Sequence, residues 1–474
     1  MLIEDLFRAP WHEQVLSELS KGIMTDEQLL AAIVKDWETS DKRNLMVLGE
    51  RYYRTKMDIE KKMQDITWRS NQKLAHDFVK KLVNQKVGYL LSKEPTIATE
   101  NEEYRKIMQD MFDKRLLKVI KNLGKEAINK GIAFLYVYID EKGELAFKKI
   151  PSEQIIPFWK DNDHEEIVSF VRVYEEVVYT NTQKQKQKKV EYHHPKGIKY
   201  YVLQADSLVP DVLAGVETNY HFTINGKPYL WERMPLIAFK YNEEEQPLID
   251  CIKSLIDDYN LQASVNADLL ADIPNFIYKL VNYGGVDLQE FLNDLNRYRA
   301  VKLDENGDVD KLQADLQTDA VEKELLRIRK AIYEFGRGVD TQDENLGNAS
   351  GVALRYRYSD LDMDCNILET EFQSSLEQLI WFIDQYLLMT GKGDFTNEPI
   401  SIIFNRDIII NESEVIANCQ ASVGILDDQT IRENHPWYTE QVEERLKKQR
   451  QQEQMYNGYQ GAFQQQQKDG NVNE

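Results

Sequence analysis

The sequence predicts an α+β protein, predominantly helical, built of several parts. Three observations predict it. Helical apolar stripes dominate both ends of the chain, strand-like runs fill Gly131 to Tyr241, and Ser350 to Thr390 contains no proline and no glycine after Gly351. The 474 residues have room for about two to four domains, and 42% apolar content is enough for a core in at least one.

From the N-terminus, helices are expected across Thr25 to Gln85. Asp26 suits an N-cap, and Leu29, Leu30, Ile33, Val34 and Trp37 recur as one buried face. Arg51, Tyr52, Tyr53 and Arg54 fall on the next helix. In NQKLAHDFVKKLVNQKVGYLLSKEP, Leu74, Phe78, Leu82, Val83 and Val87 form another stripe, ended by Gly88 and Pro95, and a further helix is expected over roughly Glu102 to Lys130. At Gly131 the texture changes. Ile132–Tyr138 and Leu145–Ile150 flank the turn Glu141-Lys142-Gly143, which reads as a hairpin. Strand-like runs follow at Ile167–Tyr179, Ile198–Leu203, Tyr220–Ile224 and Leu230–Tyr241. Lys184–Lys189 (KQKQKK) lacks interleaved aromatics and reads as a solvated hairpin tip rather than a nucleic-acid patch.

Pro247 sits where the first turn of a helix tolerates it, and Leu248, Ile252, Leu255, Ile256 and Tyr259 continue a stripe toward Leu270. Pro274 ends it. Ala271 to Gln317 reads as a small α/β insert: FIYKLV, a short helix around Leu288–Arg299, and a hairpin about Asn306-Gly307 between Ala300–Leu303 and Val309–Leu312. In the next helix Val321, Leu325, Ile328, Ile332 and Phe335 form one stripe, closed by Gly336 and Gly338, with Glu322, Lys323, Arg327, Lys330 and Glu334 on the other faces. After the loop Val339–Ala349, the Ser350–Thr390 helix is long enough to suggest a kink or packing against neighbouring copies of itself. Beyond it lie a strand candidate at Ile400–Phe404 and helices around Glu412–Gly424, Asp428–Asn434 and Thr439–Arg450. The glutamine-rich tail from Gln451 is expected to be disordered.

Charge and motifs exclude several function classes. With 59 basic against 80 acidic residues the net charge is −21, which argues against a protein that coats nucleic acid through a broad basic surface. Three cysteines without CxxC spacing indicate neither a disulfide framework nor a zinc knuckle. MLIEDLFRAPWHEQ has no export-signal progression, and no apolar run approaches the ~18 residues that crossing a bilayer requires, so a soluble chain is expected. GxxxxGK[ST], HExxH and GxSxG are absent. His193 and His194 would point to opposite faces of a strand, and a loop histidine pair is the simpler reading than a metal site. Asp304, Asn306, Asp308, Asp310 and Asp315 imitate part of a calcium loop, but Val309 stands where that loop needs glycine. No catalytic constellation, cofactor or metal is expected.

Taken in order, the parts resemble the portal proteins of tailed bacteriophages, specifically siphophage portals of Gram-positive hosts. The resemblance is carried by NQKLAHDFVKKLVNQKVGYLLSKEP, GIAFLYVYIDEKGELAFKKIPSEQIIPF and NLGNASGVALRYRYSDLD, and covers roughly Asn44 to Trp437. It implies a portal fold that assembles as a ring, twelvefold in the virion, around a central channel at one capsid vertex. Residues 1–245 would be the wing (helical lobe 1–130, mainly β part 131–245), 246–270 and 318–338 the stem helices, and 271–317 the clip. Residues 339–349 would be the tunnel loop, 350–391 the long tunnel-to-wing helix, 392–450 the crown and 451–474 the tail. The implied partners are other copies of the chain, double-stranded DNA, the large terminase ATPase, a head-completion adaptor, and major capsid and scaffolding proteins, without a membrane. The implied location is the virion, and the host cytoplasm during assembly.

The residues fit that expectation physically. DNA that must slide cannot be gripped, since each phosphate neutralised by a fixed cation adds an attraction to be broken at every step. Asp319–Tyr358 carries seven acidic and seven basic residues, so a wall built from it is neutral overall. The loop tip Asp343, Glu344, Asn345, Leu346, Gly347 and Asn348 has no cation. Arg327, Lys330, Arg337 and Arg355 are the candidates to face DNA, or to pair with carboxylates of an adjacent subunit. The alternatives are a coiled-coil scaffold without a channel and a metal-dependent nucleic-acid enzyme.

Overall fold

The computed structural model describes residues 26–63, 70–180, 183–224, 226–272, 277–281, 306–312, 318–342, 351–406 and 412–438, with separate positions at 287, 289, 297, 442–443 and 445–449. Contacts divide the chain into two units, residues 1–341 with 358–407 and residues 342–357 with 408–474.

The first unit opens with helices α1 (Asp26–Thr39) and α2 (Asp41–Tyr53), and the expected face Leu30, Ile33, Val34 and Trp37 is buried. The next helix, α3 (Phe78–Leu91), starts later than its stripe suggests, because Leu74 belongs to an extended segment. The reason lies on α6 (Leu248–Asp272). The Gln72, Leu74 and His76 amides donate to Asp268 Oδ1 (2.6 Å), Ser264 Oγ (3.0 Å) and Asn260 Oδ1 (3.0 Å). Two residues of extended chain advance about 6.6 Å and one helical turn of four residues about 6.0 Å, so every second amide meets a side chain one turn further along α6. These satisfied amides outcompete the helical ladder.

After the short strand β1 (Thr96–Ala98), the single helix expected over Glu102 to Lys130 is two, α4 (Glu102–Met111) and α5 (Lys114–Lys130). Asp113 divides them by capping: its carboxylate accepts from the amides of Arg115 (2.9 Å) and Leu116 (2.8 Å). The hairpin forms as expected from β2 (Ile132–Ile139) and β3 (Leu145–Ile150). Strand β2 reads as an unbroken apolar run because it is the middle strand of a sheet ordered β12-β2-β3, with both faces covered. Ala133, Leu135 and Val137 join the core shared with the helices, while Ile132 and Phe134 join a second core. That second core lies under the sheet of β4 (Ile155–Trp159), β5 (Ile167–Thr180), β6 (Gln183–His194), β7 (Gly197–Gln204) and β8 (Ser207–Pro210). The pair β9 (Glu217–Thr218) adds to β7, β10 (Phe222–Ile224) and β11 (Lys227–Tyr229) form a hairpin, and β12 is Leu236–Lys240.

The basic run Lys184–Lys189 is not a hairpin tip but the first half of β6, paired with β5 from Tyr179 to Tyr174. Carboxylates absorb much of its charge: Lys186 meets Glu175 (2.6 Å), Lys188 meets Glu38 (2.6 Å), and buried Lys189 meets Asp211 (2.5 Å). His193 and His194 end β6 rather than lie in a loop, and they face opposite sides, with His193 buried and stacked on Phe170 at 4.2 Å.

In the insert, β13 (Ile277–Val281) pairs with β14 (Asp308–Leu312), so the partner of Val309–Leu312 is the FIYKLV segment. Asn306 adopts φ 69°, the left-handed geometry an Asn-Gly turn requires, but Ala300–Leu303 lies outside the described residues. Helix α7 (Thr318–Phe335) follows, and then α8 (Gly351–Met389), whose 39 residues match the expected span. Its repeat is satisfied within its own chain. Leu361, Cys365, Leu368, Phe372, Leu376, Leu379 and Ile383 are buried in the helical core, so from Leu361 onward neither a kink nor a neighbouring copy is needed to explain the length. Strand β15 (Ser401–Ile403) pairs with β1. In the second unit, α9 (Glu412–Ala421) and α10 (Asp428–Glu433) form where helices were expected, with Asp427 capping the latter. The tail from Gln451 lies outside the described residues.

One buried contact makes stability depend on pH. Tyr104 donates to Asp384 Oδ1 at 2.7 Å, and burial raises the Asp384 pKa from 3.8 to about 6. Because the folded pKa exceeds the unfolded one, the penalty is absent below about pH 4 and complete above about pH 6. Asp384→Asn retains an acceptor for Tyr104 without the charge. The variant is expected to be more stable than wild type by about 1–2 kcal/mol at pH 7.5, and indistinguishable from it at pH 4. Thermal melts at both values check this.

Candidate functional site

Helices α6 and α7 pack as a pair. Cys251 and Phe335 line the same cavity while Asp258 faces Arg327, so the two run antiparallel. Phe78 of α3 wedges against both, edge-on to Tyr259 (5.0 Å) and to Tyr333 (6.1 Å). On α7, Ile328, Ile332 and Tyr333 are buried, whereas Phe335 is 59% exposed and leaves the expected stripe. The helix closes in a Schellman motif: the Gly338 amide donates to the Tyr333 carbonyl (2.9 Å) and the Arg337 amide to that of Glu334 (3.1 Å). The left-handed residue in this motif is Arg337 (φ 49°), not a glycine. The two glycines serve packing instead, since a Cβ at Gly338 would lie 2.2 Å from Leu82 Cδ2 and one at Gly336 2.7 Å from Leu82 Cδ1.

The candidate cations divide by environment. Arg327 is exposed on α7 and pairs with Glu324 at 2.5 Å one turn earlier. Lys330 is exposed, with no ion pair among the described residues. Arg337 is half-exposed and reaches Asp364 at 3.3 Å. The Arg355 side chain and the loop tip Asp343, Glu344, Asn345, Leu346, Gly347 and Asn348 lie outside the described residues. Lys323, Glu322 and Glu334 are also exposed on α7, so this surface carries both signs.

Beneath it is a charged centre that periodicity did not reveal. Asp364 of α8, 5% exposed, accepts from Lys86 Nζ (2.6 Å) and Tyr241 Oη (2.7 Å) as well as from Arg337. Lys86 is fully buried on α3. Burial and the Asp364 carboxylate push the Tyr241 hydroxyl well above its usual range, which keeps it a donor. A lysine inside KKLVNQKV looks like any surface cation, and no spacing rule pairs it with an aspartate on a distant helix. Among the described residues no group of three metal-ligating side chains converges, and no helix is long and apolar enough to cross a membrane.

The family model for phage portal proteins of the SPP1 Gp6-like kind matches residues 34–457. The portal protein of Bacillus phage SPP1 is 31% identical over 420 residues, covering 84% of this chain and 82% of that protein. The portal protein of Clostridium phage phiCD119 is 29% identical over 441 residues, covering 88% of this chain and 94% of that protein. The chain belongs to the SPP1 Gp6-like family of phage portal proteins.

Proposed function

We propose that copies of this chain close into a ring, twelvefold in the virion, at one capsid vertex, and that double-stranded DNA enters and leaves through its axis. Residues 1–245 form the wing, 246–270 and 318–338 the stem helices, 271–317 the clip, 350–391 the long tunnel-to-wing helix, and 392–450 the crown. The clip meets the terminase motor and later the head-completion adaptor, while capsid and scaffolding proteins surround the ring. The chain itself performs no catalysis; the motor supplies the energy. The observation that carries this reading is the family match over residues 34–457.

The charge distribution supports it. Of the cations in Asp319–Tyr358, Arg329 and Arg337 are held by Asp340 and Asp364, and Arg327 by Glu324. Three of the seven cations are thus paired, and a wall of mixed sign lets a polyanion slide. Residues 339–349 form the tunnel loop that touches DNA by shape. Lys330→Glu is expected to alter packaging while ring assembly and melting temperature stay unchanged. Arg337→Glu would also lower stability, because it sets a carboxylate beside Asp364.

The test is deletion of Asn345–Asn348. Top-view electron microscopy is expected to show intact rings, and particles carrying them are expected to be deficient in packaged or retained DNA. Wild-type packaged yield from such particles removes the loop from the mechanism, and a protein that stays single at high concentration removes the ring.

A further inference from the structure

The segment that leaves α7, Arg337 to Thr341, is fastened by side chains at every residue but one. Gln85 on α3 holds Val339 from both sides: its Oε1 accepts from the Val339 amide (3.0 Å) and its Nε2 donates to the Val339 carbonyl (3.0 Å). This is the pairing one β-strand residue gives another, supplied here by a side chain. Next to it, Arg329 binds Asp340 through two parallel bonds of 2.7 Å each. Lys86 Nζ donates to the Arg337 carbonyl (3.1 Å), and Lys81 Nζ reaches Thr341 Oγ1 at 3.4 Å. The exception is Gly338, where a side chain would strike Leu82 and come within 3.0 Å of Gln85 Oε1. Its missing Cβ is what lets the backbone approach α3 closely enough to be held.

Fastening of this density is far more than a helix end requires. The Schellman bonds already satisfy the last carbonyls of α7, so Gln85, Arg329 and Lys86 act on the chain beyond it. We infer that Gln85 and Arg329 are positioning residues that fix the course of Arg337 to Thr341 as the chain leaves α7, and so hold the root of the loop 339–349 that touches DNA. This rests on the proposed function. The physical need is plain: a contact made by shape works only if its anchor stays still. Without the latch, the loop would gain several residues of slack at its root.

The test separates the latch from the reading beneath it. Gln85→Leu keeps the side-chain volume but neither bond. Hydrogen exchange in rings of this variant is expected to be at least tenfold faster at the Val339 and Asp340 amides, with ring assembly unchanged and packaged or retained DNA reduced. Unchanged exchange overturns the latch. Faster exchange with wild-type DNA yield overturns the positioning role, provided that the Asn345–Asn348 deletion is defective in the same assay. If the deletion also packages fully, the proposed function fails and the positioning role with it. The pair supplies a second arm: Arg329→Asp is expected to lose DNA yield, and Arg329→Asp with Asp340→Arg to regain most of it. A double variant as defective as the single one overturns the role of that pair, because a merely local loss of charge would not be restored by exchanging the partners.

Discussion

Asp364→Ala is expected to destabilise the chain by about 3–5 kcal/mol, the usual cost of stranding a buried charge. Lys86 is fully buried, and among the described residues its ammonium meets only Asp364 and the Arg337 carbonyl. Removing the carboxylate therefore leaves a cation in the core with one neutral acceptor, and strips Tyr241 of its hydrogen-bond partner. The loss spreads across α3, β12, α7 and α8, because all four, or the residues next to them, converge on this carboxylate. Adding Lys86→Met to Asp364→Ala is expected to recover a large part of the loss, since an apolar side chain of similar length carries no desolvation penalty. Urea denaturation of wild type, both single variants and the double variant gives the coupling directly. Additive effects would show that the two charges do not depend on each other.

Gly131→Ala is the second large effect, expected to exceed about 3 kcal/mol. Gly131 ends α5 with φ 83°, and a Cβ there would lie 1.8 Å from the Glu245 carbonyl oxygen. The left-handed geometry alone costs an alanine roughly 1–2 kcal/mol. The collision adds to it, because the obstacle is backbone rather than a flexible side chain. Nor can Glu245 yield easily: its buried carboxylate is held by Lys42 and His164, which keep its pKa down at about 2. Gly143 provides the control. It has φ 80° and no atom within 4 Å of the point a Cβ would occupy, so Gly143→Ala is expected to cost only the conformational share. Melting temperatures of the two variants side by side separate strain from collision, and equal shifts would refute the steric account.

Much of the fold was legible because local rules and tertiary demands agreed. The α1 face, the β2–β3 hairpin, α6 after Pro247 and the length of α8 all follow from periodicity and turn chemistry acting over a few residues. The candidate site was legible in part. The charge balance of residues 319–358 can be counted in the sequence, but which cations are already engaged cannot. Arg329 and Arg337 lie eight positions apart on one charged segment, yet each is bound by a different aspartate, at Asp340 and Asp364. Gln85 gave no signal, since a glutamine beside an apolar stripe ordinarily faces water.

By itself the sequence determined the kinds and order of the elements, the neutral balance of the α7 segment, and the absence of the common nucleotide, zinc and hydrolase motifs. Only the tertiary structure decided that residues 72–76 run extended along α6, that Asp113 breaks a helix in two, and that the α8 repeat is buried in its own chain. Periodicity reports which face of an element is apolar. It carries no information on which distant side chain offers a carboxylate or an amide to meet it, and those partners choose among backbones that local propensity leaves nearly equal in energy.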